Sequence, residues 1–464
     1  MQQTIAILGA GFSGTLAAVH LLRLCQDGGL RVLLVERSGS FGRGLAYGTR
    51  DDNLLLNVPA GNMSALAEDP GHFVAYIRNI DPNFNPGSFI PRRIYGDYLE
   101  DLLAQGQRVA RSALEKIAGE AAAVRRAAPS GGFIVELADG RRCAVDQVVL
   151  ALGHFPSADP PPLAALAGSA RYVADPWEHG ALDNVDADRP VVLIGAGHTA
   201  VDTLFRLRSR GSLAPCTLLS RRGLLPHGHR STPRRPATVA LPSYLADAPD
   251  ASARAYLHAI RAEVRRRFQD GGDWRDVVNE LRPHTPELWR RLAVAERRRF
   301  LDRVLPYWDV HRHRLAPAAY LRLQRMLAAG EVEAVAARVL ACEQRGHDIG
   351  ITLRQRRDGR IRHIAAGAVI NCTGPDYDIA TVPGALVAQL RGAGLVRQDA
   401  LQLGLEVDAQ YRVIDGAGQP VAGLHYLGPM LKAGQWEAIA VPELRVHAWQ
   451  LAQRMLAAEA AGPR

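Results

Sequence analysis

Two glycine-rich turns are the residues of this sequence whose types and spacing most directly predict a chemical role. Residues 9–14 carry a Gly-x-Gly-x-x-Gly pattern between an apolar segment, residues 4–8, and a segment of helical spacing. In such a turn the first glycine permits a tight bend, the second lets a pyrophosphate approach the backbone, and the third lets the helix pack on the sheet. The N–H groups at the helix N-terminus then stabilise the phosphate charge. We therefore predict a dinucleotide site here.

An acidic residue at the end of the following strand strengthens this prediction. Glu36 lies 22 residues after Gly14 and closes the apolar segment 31–35. A carboxylate at this place accepts hydrogen bonds from the hydroxyl groups of the adenosine ribose. A plain turn without a ligand is the alternative, since many turns carry two glycines. The register of strand, helix and acid favours a dinucleotide over that alternative.

The second turn, residues 195–200, has the related Gly-x-Gly-x-x-Ala pattern, and its next strand ends in Arg221 and Arg222. A carboxylate in that position would repel a 2′-phosphate, whereas arginines bind one through charge-assisted hydrogen bonds. The sequence therefore favours NADPH over NADH as the second dinucleotide. Stacking of the arginines on the adenine, and a solvated surface turn, are the alternatives.

The two turns belong to an internal duplication, because each half continues through an alternating meander to an apolar strand that ends near Gly153 or Gly374. This order predicts an α/β protein of two Rossmann-like dinucleotide-binding domains, one for FAD and one for NAD(P), with the second inserted in the first and carrying a helical insertion. The predicted boundaries are 1–160 for the first part of the FAD domain, 161–364 for the NAD(P) domain with its helical insert at about 240–330, and 365–464 for the second part of the FAD domain.

The amino-acid composition is that of a globular protein. The chain has 464 residues, of which 47% are hydrophobic and 22% charged, and these proportions exclude a disordered or collagen-like chain. The net charge is +9, but residues 221–330 hold 22 arginines against 11 acidic residues, so the remainder carries −2. An anionic small molecule explains this local excess as well as a nucleic acid does, and we predict no nucleic-acid partner.

Other sequence features bear on the location of the protein, on membrane and metal binding, and on the C-terminal helix. Five scattered cysteines without metal-type spacing indicate reduced thiols and a cytoplasmic location. No apolar run reaches eighteen residues, so we predict no membrane-spanning segment. His311 and His313 lack a third candidate ligand cluster, and we predict no metal site. Near the C-terminus, Pro442 opens a helix whose N-terminus could face the flavin, the alternative being an amphipathic surface helix.

Several further segments resemble a group of bacterial FAD/NAD(P)-binding monooxygenases that includes the FAD-dependent urate hydroxylase and L-aspartate N-monooxygenase types. The segments are residues 41–49, 55–65, 69–73, 91–98 and 308–314. The resemblance covers nearly the whole chain and implies a single-component monooxygenase, in which NAD(P)H reduces FAD and a flavin C4a-hydroperoxide hydroxylates a small, polar, anionic substrate with O₂.

The resemblance makes urate, converted to 5-hydroxyisourate in purine catabolism, the leading substrate. N-hydroxylation of an amino acid of the L-aspartate type is the alternative. A basic nucleic-acid-binding flavoprotein or a redox-sensing flavoprotein is the alternative from another class. The sequence leaves the oligomeric state open.

The motifs and the resemblance together give the predicted site residues. Candidates for a catalytic role are His72, His313 and Arg314, with a satisfied helix-start histidine and a solvated basic face as the alternatives. The predicted cofactor contacts are Gly9, Gly11, Phe12, Ser13, Gly14, Glu36, Arg37, Arg43, Asn57, Pro59, Met63, Gly153, Gly195, Gly197, His198, Thr199, Ala200, Arg221, Arg222, Gly374, Gly428 and Trp436.

Overall fold

The computed structural model describes residues 2–127, 131–231, 240–246 and 251–460. The strands are β1 Gln3–Leu8, β2 Leu30–Glu36, β3 Ala113–Ala118, β4 Ala121–Arg126, β5 Phe133–Leu137, β6 Arg142–Val145, β7 Gln147–Leu150, β8 Tyr172–Val173, β9 Val191–Ile194, β10 Cys216–Ser220, β11 Val332–Arg345, β12 Asp348–Gln355, β13 Ile361–Ala366, β14 Ala368–Asn371, β15 Arg412–Ile414 and β16 Pro420–Tyr426. Their order in sequence defines two large sheets and one small one.

The helices include a long run between β10 and β11. The α-helices are α1 Phe12–Leu24, α2 Gly44–Tyr47, α3 His72–Arg78, α4 Arg92–Val109, α5 His198–Ser209, α6 Ser243–Ala246, α7 Ala253–Gln269, α8 Trp274–Leu281, α9 Thr285–Arg291, α10 Val294–Arg299, α11 Leu305–Arg312, α12 Pro317–Ala328, α13 Ala385–Gly392 and α14 Val441–Ala460. Short 3₁₀ helices are Ala60–Asn62, Pro161–Leu166, Arg282–His284 and Pro429–Ala433, and Phe300–Val304 is a π-helix. No helix among these residues is long and apolar enough to cross a membrane.

The first sheet has the order β15-β16-β7-β1-β2-β3, and β1 pairs in parallel with β2 and β7. Continuous apolar sequence places β1 in the centre, because a parallel strand is covered by helices on both faces. Helix α1 is buried along most of its length, since it packs against α4 and α14 as well as the sheet. A small antiparallel sheet, β4-β5-β6, stands beside these elements.

The second sheet repeats this plan in the order β13-β12-β11-β10-β9-β14-β8. Its central strand β9 pairs in parallel with β10 and β14, as β1 pairs with β2 and β7. The strands of the second sheet lie between β7 and β16 of the first sheet in sequence. The predicted fold class, two Rossmann-like domains with the second inserted in the first, is therefore confirmed.

One predicted boundary needs revision. Ala368–Asn371 is a strand of the second sheet, although the sequence-based boundary at 364/365 assigned it to the FAD domain. The internal duplication itself places this apolar strand at the end of the second half, and the chain crosses to the first sheet only after it. We propose that the second domain extends to Asn371.

The helices between β10 and β11 form a separate apolar cluster that includes a residue from the C-terminal part of the chain. Trp436 is 5% exposed, stacks on Trp289 at a centroid distance of 4.4 Å and meets Phe300 edge-on. Its ring therefore packs in the core of the insert, and the predicted contact of Trp436 with a cofactor stays a prediction. The packing attaches the insert to the first domain.

Many arginines of the basic segment are paired within the insert. Arg230 binds Asp273 and Asp276, and Arg267 binds Glu263 and Glu280. Ion pairs of this kind neutralise positive charge locally and hold neighbouring helices together. Some of the arginines of residues 221–330 therefore have a structural use, although the net charge of the segment stays unchanged because their acidic partners belong to it as well.

Candidate functional site

The two glycine turns adopt the same strained conformation. Gly9 and Gly195 have φ values of +106° and +129°, and a Cβ on either would lie 2.3 or 2.2 Å from the carbonyl oxygen of Ala151 or Cys372. A Cβ on Gly14 would lie 1.8 Å from the carbonyl oxygen of the turn's first residue. Only glycine fits at Gly9, Gly14 and Gly195, because a side chain at any of them would collide with a nearby backbone carbonyl group.

The second glycine of each turn leaves a helix N-terminus open. Gly11 and Gly197 precede α1 and α5 with nearly equal backbone angles, and neither helix has a side-chain cap. A Cβ on Gly197 would meet no described atom within 4 Å, and one on Gly11 would meet only Gly44 at 3.5 Å. Uncapped N–H groups facing open space suit a pyrophosphate. The remaining motif residues, Phe12, Ser13, Thr199 and Ala200, lie in the first turns of the two helices.

Glu36 is held at the end of β2 by its own turn. Its Oε2 accepts from the backbone N–H of Ala10 at 2.8 Å, and its Oε1 accepts from the backbone N–H and the hydroxyl of Ser38 at 3.0 and 2.9 Å. The neighbouring Arg37 is exposed. These bonds fix the carboxylate beside the phosphate turn, where the sequence places a ribose acceptor.

Arg43 has other partners than those predicted. Its guanidinium binds both carboxylate oxygens of Glu100 at 2.7 Å and also binds Asp97, both on α4. These partners, with the Glu100 hydrogen bonds first, hold the pKa of Arg43 above its usual range. The adjacent Gly44 lies against Gly11, where a Cβ on Gly44 would be 2.7 Å from the Gly11 Cα. Arg43 therefore joins the loop beside the first turn to α4, and its predicted cofactor contact stays a prediction.

The loop after α2 contributes backbone contacts. The carbonyl oxygen of Asn57 accepts a hydrogen bond from Nε2 of His229 at 3.0 Å, Pro59 precedes the 3₁₀ helix Ala60–Asn62, and Met63 is 2% exposed. The His229 bond joins the loop of the first domain to the chain that follows β10. The predicted flavin contacts of these residues stay proposals.

The second turn faces the segment after α11. Nε2 of His198 donates to the carbonyl oxygen of His313 at 3.0 Å, and burial lowers the pKa of His198. Arg221 is exposed, with no hydrogen bond or ion pair among the described residues, whereas Arg222 donates to the carbonyl oxygen of Asp302 and lies over the ring of Tyr307. Of the two arginines predicted to bind a 2′-phosphate, Arg221 is the one that is free.

The chain passes from the first domain to the second after Gly153 and returns after Gly374. Gly153 and Gly374 have φ values of +70° and +96°, and a Cβ on either would meet nothing described within 4 Å. Close to them, Nδ1 of His154 is hydrogen-bonded to the hydroxyl of Tyr377 at 3.0 Å. Burial lowers the pKa of His154 to about 4, so this histidine is neutral at physiological pH. Gly428, also predicted to contact the cofactor, lies against the hydroxyl of Tyr426.

Three polar residues meet at the junction, which we call the cleft: Asp309 and His313 at the C-terminal end of α11, and Lys432 in the 3₁₀ helix Pro429–Ala433. Asp309 keeps 48% of its side chain exposed, yet desolvation by the surrounding protein raises its pKa from 3.8 to about 6. His313 Nε2 lies 3.8 Å from Asp309 Oδ1, and desolvation holds the pKa of His313 well below 6.5. Desolvation also lowers the pKa of Lys432, against the attraction of Asp309. Clusters of side chains whose pKa values are shifted by desolvation occur often at functional sites.

A buried ion pair supports the cleft. Glu437 is 2% exposed and has a positive φ of +76°. Its carboxylate accepts a hydrogen bond from Nε1 of Trp308 at 3.0 Å and lies 2.9 Å from Arg312. These contacts fix α11 against the C-terminal part of the first domain. The sequence analysis missed Glu437, Asp309 and Lys432, although Lys432 had a signal, since it is one of only two lysines in the chain.

Two of the three candidate catalytic residues lie elsewhere. Nδ1 of His72 is hydrogen-bonded to the hydroxyl of Tyr98 at 2.9 Å, in the wall of a cavity of about 260 Å³ between α3 and α4. Arg314 is 3% exposed, donates to the side chain of Asn279 and lies over the ring of Trp274. Only His313 of these candidates lines the cleft. Within the described ranges no group of three or more potential ligands could hold a metal ion.

Comparison with known proteins supports this description of the first turn. Residues 6–155 match a family model described as FAD-NAD(P)-binding. The chain contains an FAD-NAD(P)-binding domain. No curated protein sequence matches the chain.

Solved structures share the whole architecture. The L-lysine 6-monooxygenase of Pseudomonas syringae is 17% identical with a TM-score of 0.65, and the match covers 100% of each chain. The ornithine hydroxylase of Pseudomonas aeruginosa is also 17% identical, with a TM-score of 0.65 over 98% of this chain and 99% of that one. A thioredoxin reductase of T. acidophilum is 12% identical, with a TM-score of 0.54 over 98% of each. The fold is that of two-domain FAD/NAD(P) flavoproteins.

The raised pKa of Asp309 predicts a cost in stability. The folded carboxyl keeps its proton up to about pH 6, whereas the unfolded one ionises near pH 4, so folding becomes less favourable between these values and the cost is complete above pH 6. Lys432, Glu437 and His313 are the polar groups around it. Asp309→Asn is expected to raise Tm at pH 8 and to leave it unchanged at pH 4. An equal change in Tm at both pH values would contradict the prediction.

Proposed function

We propose that the protein is an FAD- and NAD(P)H-dependent monooxygenase that hydroxylates the nitrogen of a primary amine. The observation that carries the proposal is that two matching glycine turns, each at an open helix N-terminus, occur with the polar side chains of Asp309, His313 and Lys432 gathered where their domains meet. A protein that binds both dinucleotides in this way can pass a hydride from one to the other beside a third molecule.

The cleft favours an amine over urate. Asp309 is ionised above about pH 6, and its negative charge attracts an ammonium group and repels the urate anion. His154 and His313 are held neutral by burial, so they add no positive charge beside Asp309. Lys432 is the cationic member of the cleft and suits a substrate that carries an anionic group besides its ammonium. The similar structures include an ornithine hydroxylase, an L-lysine 6-monooxygenase and a cadaverine monooxygenase. Urate, the leading substrate from the sequence resemblance, gains no support from these observations.

The chain's own residues have defined tasks in this proposal. Bound FAD supplies the hydride acceptor and the activation of O₂. The open N–H groups at the start of α1 and α5 bind the two pyrophosphates. Asp309 holds the substrate amine and accepts its proton, because a carboxyl with a pKa near 6 is suited to general-base work at neutral pH. Trp308 and Arg312 anchor Glu437 and keep α11 against the cleft.

Purification followed by an absorbance spectrum and NADPH oxidation tests the proposal. We expect bound flavin, and NADPH consumption that yields a hydroxylamine with at least one member of a panel of L-ornithine, L-lysine, cadaverine and L-aspartate. Urate serves as the competing substrate. Absence of flavin even after FAD is added, or oxidation of urate without oxidation of any amine, would overturn the proposal. A cytoplasmic location and the lack of a nucleic-acid partner stay predictions.

Arg221 is expected to set the preference for NADPH. Its guanidinium is free, whereas that of Arg222 is bound to Asp302 and Tyr307. Charge-assisted hydrogen bonds to a phosphate contribute about 1.5–3 kcal/mol, so Arg221→Ala should lower the ratio of kcat/KM for NADPH over NADH by about 10-fold or more. Arg222→Ala is the matched variant and should change the ratio less. Equal losses with both nucleotides would show that Arg221 does not contact the 2′-phosphate.

A further inference from the structure

Lys432 is a cation of the cleft whose hydrogen-bond donors are unused. It lies in the 3₁₀ helix Pro429–Ala433, with its Nζ 4.6 Å from the ring centroid of Trp436 and 5.7 Å from that of Tyr377. Among the described residues it makes no hydrogen bond and no ion pair. The aromatic rings hold the ammonium in place by cation–π attraction but do not satisfy its three N–H groups.

The neighbouring cations are already engaged. Arg312 pairs with Glu437 at 2.9 Å, and Arg282 binds both carboxylate oxygens of Glu443. Arg92 pairs with Asp202 at 2.7 Å. Each of these arginines has a carboxylate within ion-pair distance, whereas Lys432 has none among the described residues, so its charge is available for a ligand.

Asp309 does not neutralise Lys432. The two groups attract each other, but no ion pair within 4 Å joins them. A desolvated ammonium without a close counter-charge is costly in the free protein. A ligand that brings a carboxylate to Lys432 and an amino group to Asp309 would satisfy both side chains together.

We infer that Lys432 binds the carboxylate of the substrate, so that the protein acts on an amino acid and discriminates against the corresponding amine without a carboxylate. This inference rests on the proposed function and adds the substrate class to it. Lys432 is a specificity-determining residue in this view. Loss of one charge-assisted hydrogen bond to a carboxylate corresponds to a loss of affinity of about 10- to 100-fold.

Paired ligands test the inference on the oxidised FAD-bound protein. Dissociation constants are measured by calorimetry for L-lysine and cadaverine and for L-ornithine and putrescine, because the second member of each pair has no carboxylate. We expect at least one amino acid to bind about 10-fold or more tightly than its partner. The ratio should fall close to one in Lys432→Met and be retained largely in Lys432→Arg.

Lys116 provides the matched control, because it is the chain's other lysine and is exposed. Lys116→Met should leave every ratio unchanged. An unchanged ratio in Lys432→Met would overturn the inference. So would an equal loss of affinity for FAD or NADPH in that variant, because it would place Lys432 at a cofactor instead.

A spectroscopic readout separates this inference from the proposed function. Reductive methylation with ¹³C-formaldehyde labels the two lysines and the N-terminal amine, and the Lys→Met variants assign the lysine signals. An amino acid that binds in the cleft should shift the signal of Lys432 and leave that of Lys116 unchanged. Failure of the proposed function appears as the absence of any hydroxylamine product. Failure of this inference appears as a Lys432 signal that no amino acid moves.

Discussion

Replacing Gly197 with alanine is expected to slow flavin reduction by NADPH by about 100-fold while leaving the fold and the bound FAD in place. A methyl group at this position meets no described protein atom within 4 Å, and the backbone angles of Gly197 are open to alanine. The cost to stability is therefore small, about 1 kcal/mol or less, as for other changes at a helix N-cap. The methyl would instead occupy the space through which a pyrophosphate approaches α5, and a displacement of about 1 Å in a bound reactant can cost 100-fold in rate.

Stopped-flow measurement of flavin bleaching after mixing with NADPH checks this result, with the flavin spectrum and Tm as controls. Gly11→Ala is the matched variant in the first turn and should lose FAD instead. Gly195→Ala should destabilise the second domain outright, because its Cβ would lie 2.2 Å from the carbonyl oxygen of Cys372. A wild-type rate of reduction in Gly197→Ala would remove the second turn from the nicotinamide site.

The second large effect is expected at the ion pair between the domains. Arg92 on α4 and Asp202 on α5 are 2.7 Å apart, with 13% and 8% of their side chains exposed. Asp202→Ala would leave the Arg92 guanidinium buried without a counter-charge, and breaking such a pair costs about 3–5 kcal/mol. We expect the midpoint of urea unfolding to fall accordingly.

An exposed pair gives the control for this prediction. Arg31 and Glu115 lie 2.6 Å apart with 45% and 49% of their side chains exposed, and Glu115→Ala should cost about 1 kcal/mol or less. The double replacement Arg92→Met with Asp202→Leu should restore much of the stability lost in Asp202→Ala, since no buried charge is left unpaired. If Asp202→Ala and Glu115→Ala shift the midpoint equally, the interdomain pair does not hold the domains together.

Local sequence was sufficient to predict the site residues whose role depends on the backbone conformation of one short segment. The glycine turns and Glu36 were predicted because a strand, a turn and a helix follow one another within about thirty residues, and each position has its own steric reason. The helix α1 begins earlier than the sequence pattern indicated, because Phe12 and Ser13 already belong to the helix and not to the turn.

Contacts between distant segments could not be predicted in the same way. Arg43 was assigned to a cofactor, but Glu100 on α4 binds it, and nothing within the 41–49 segment indicates that partner. Likewise Asp309 and Lys432 are 123 positions apart in sequence and meet only because the C-terminal part of the first domain returns beside the insert. The pairing of charged side chains depends on packing that periodicity does not encode.

The insertion of one domain within another also constrains the order in which the chain can fold. Strand β16 completes the first sheet by pairing with β7, Leu424 opposite Val148, and α14 covers α1, the helix that follows the first turn. Neither contact can form during synthesis until the entire second domain has left the ribosome, and closing so long a loop slows assembly. The face of α1 that α14 covers is therefore exposed for most of translation, and the first domain is completed last although its sequence is made first.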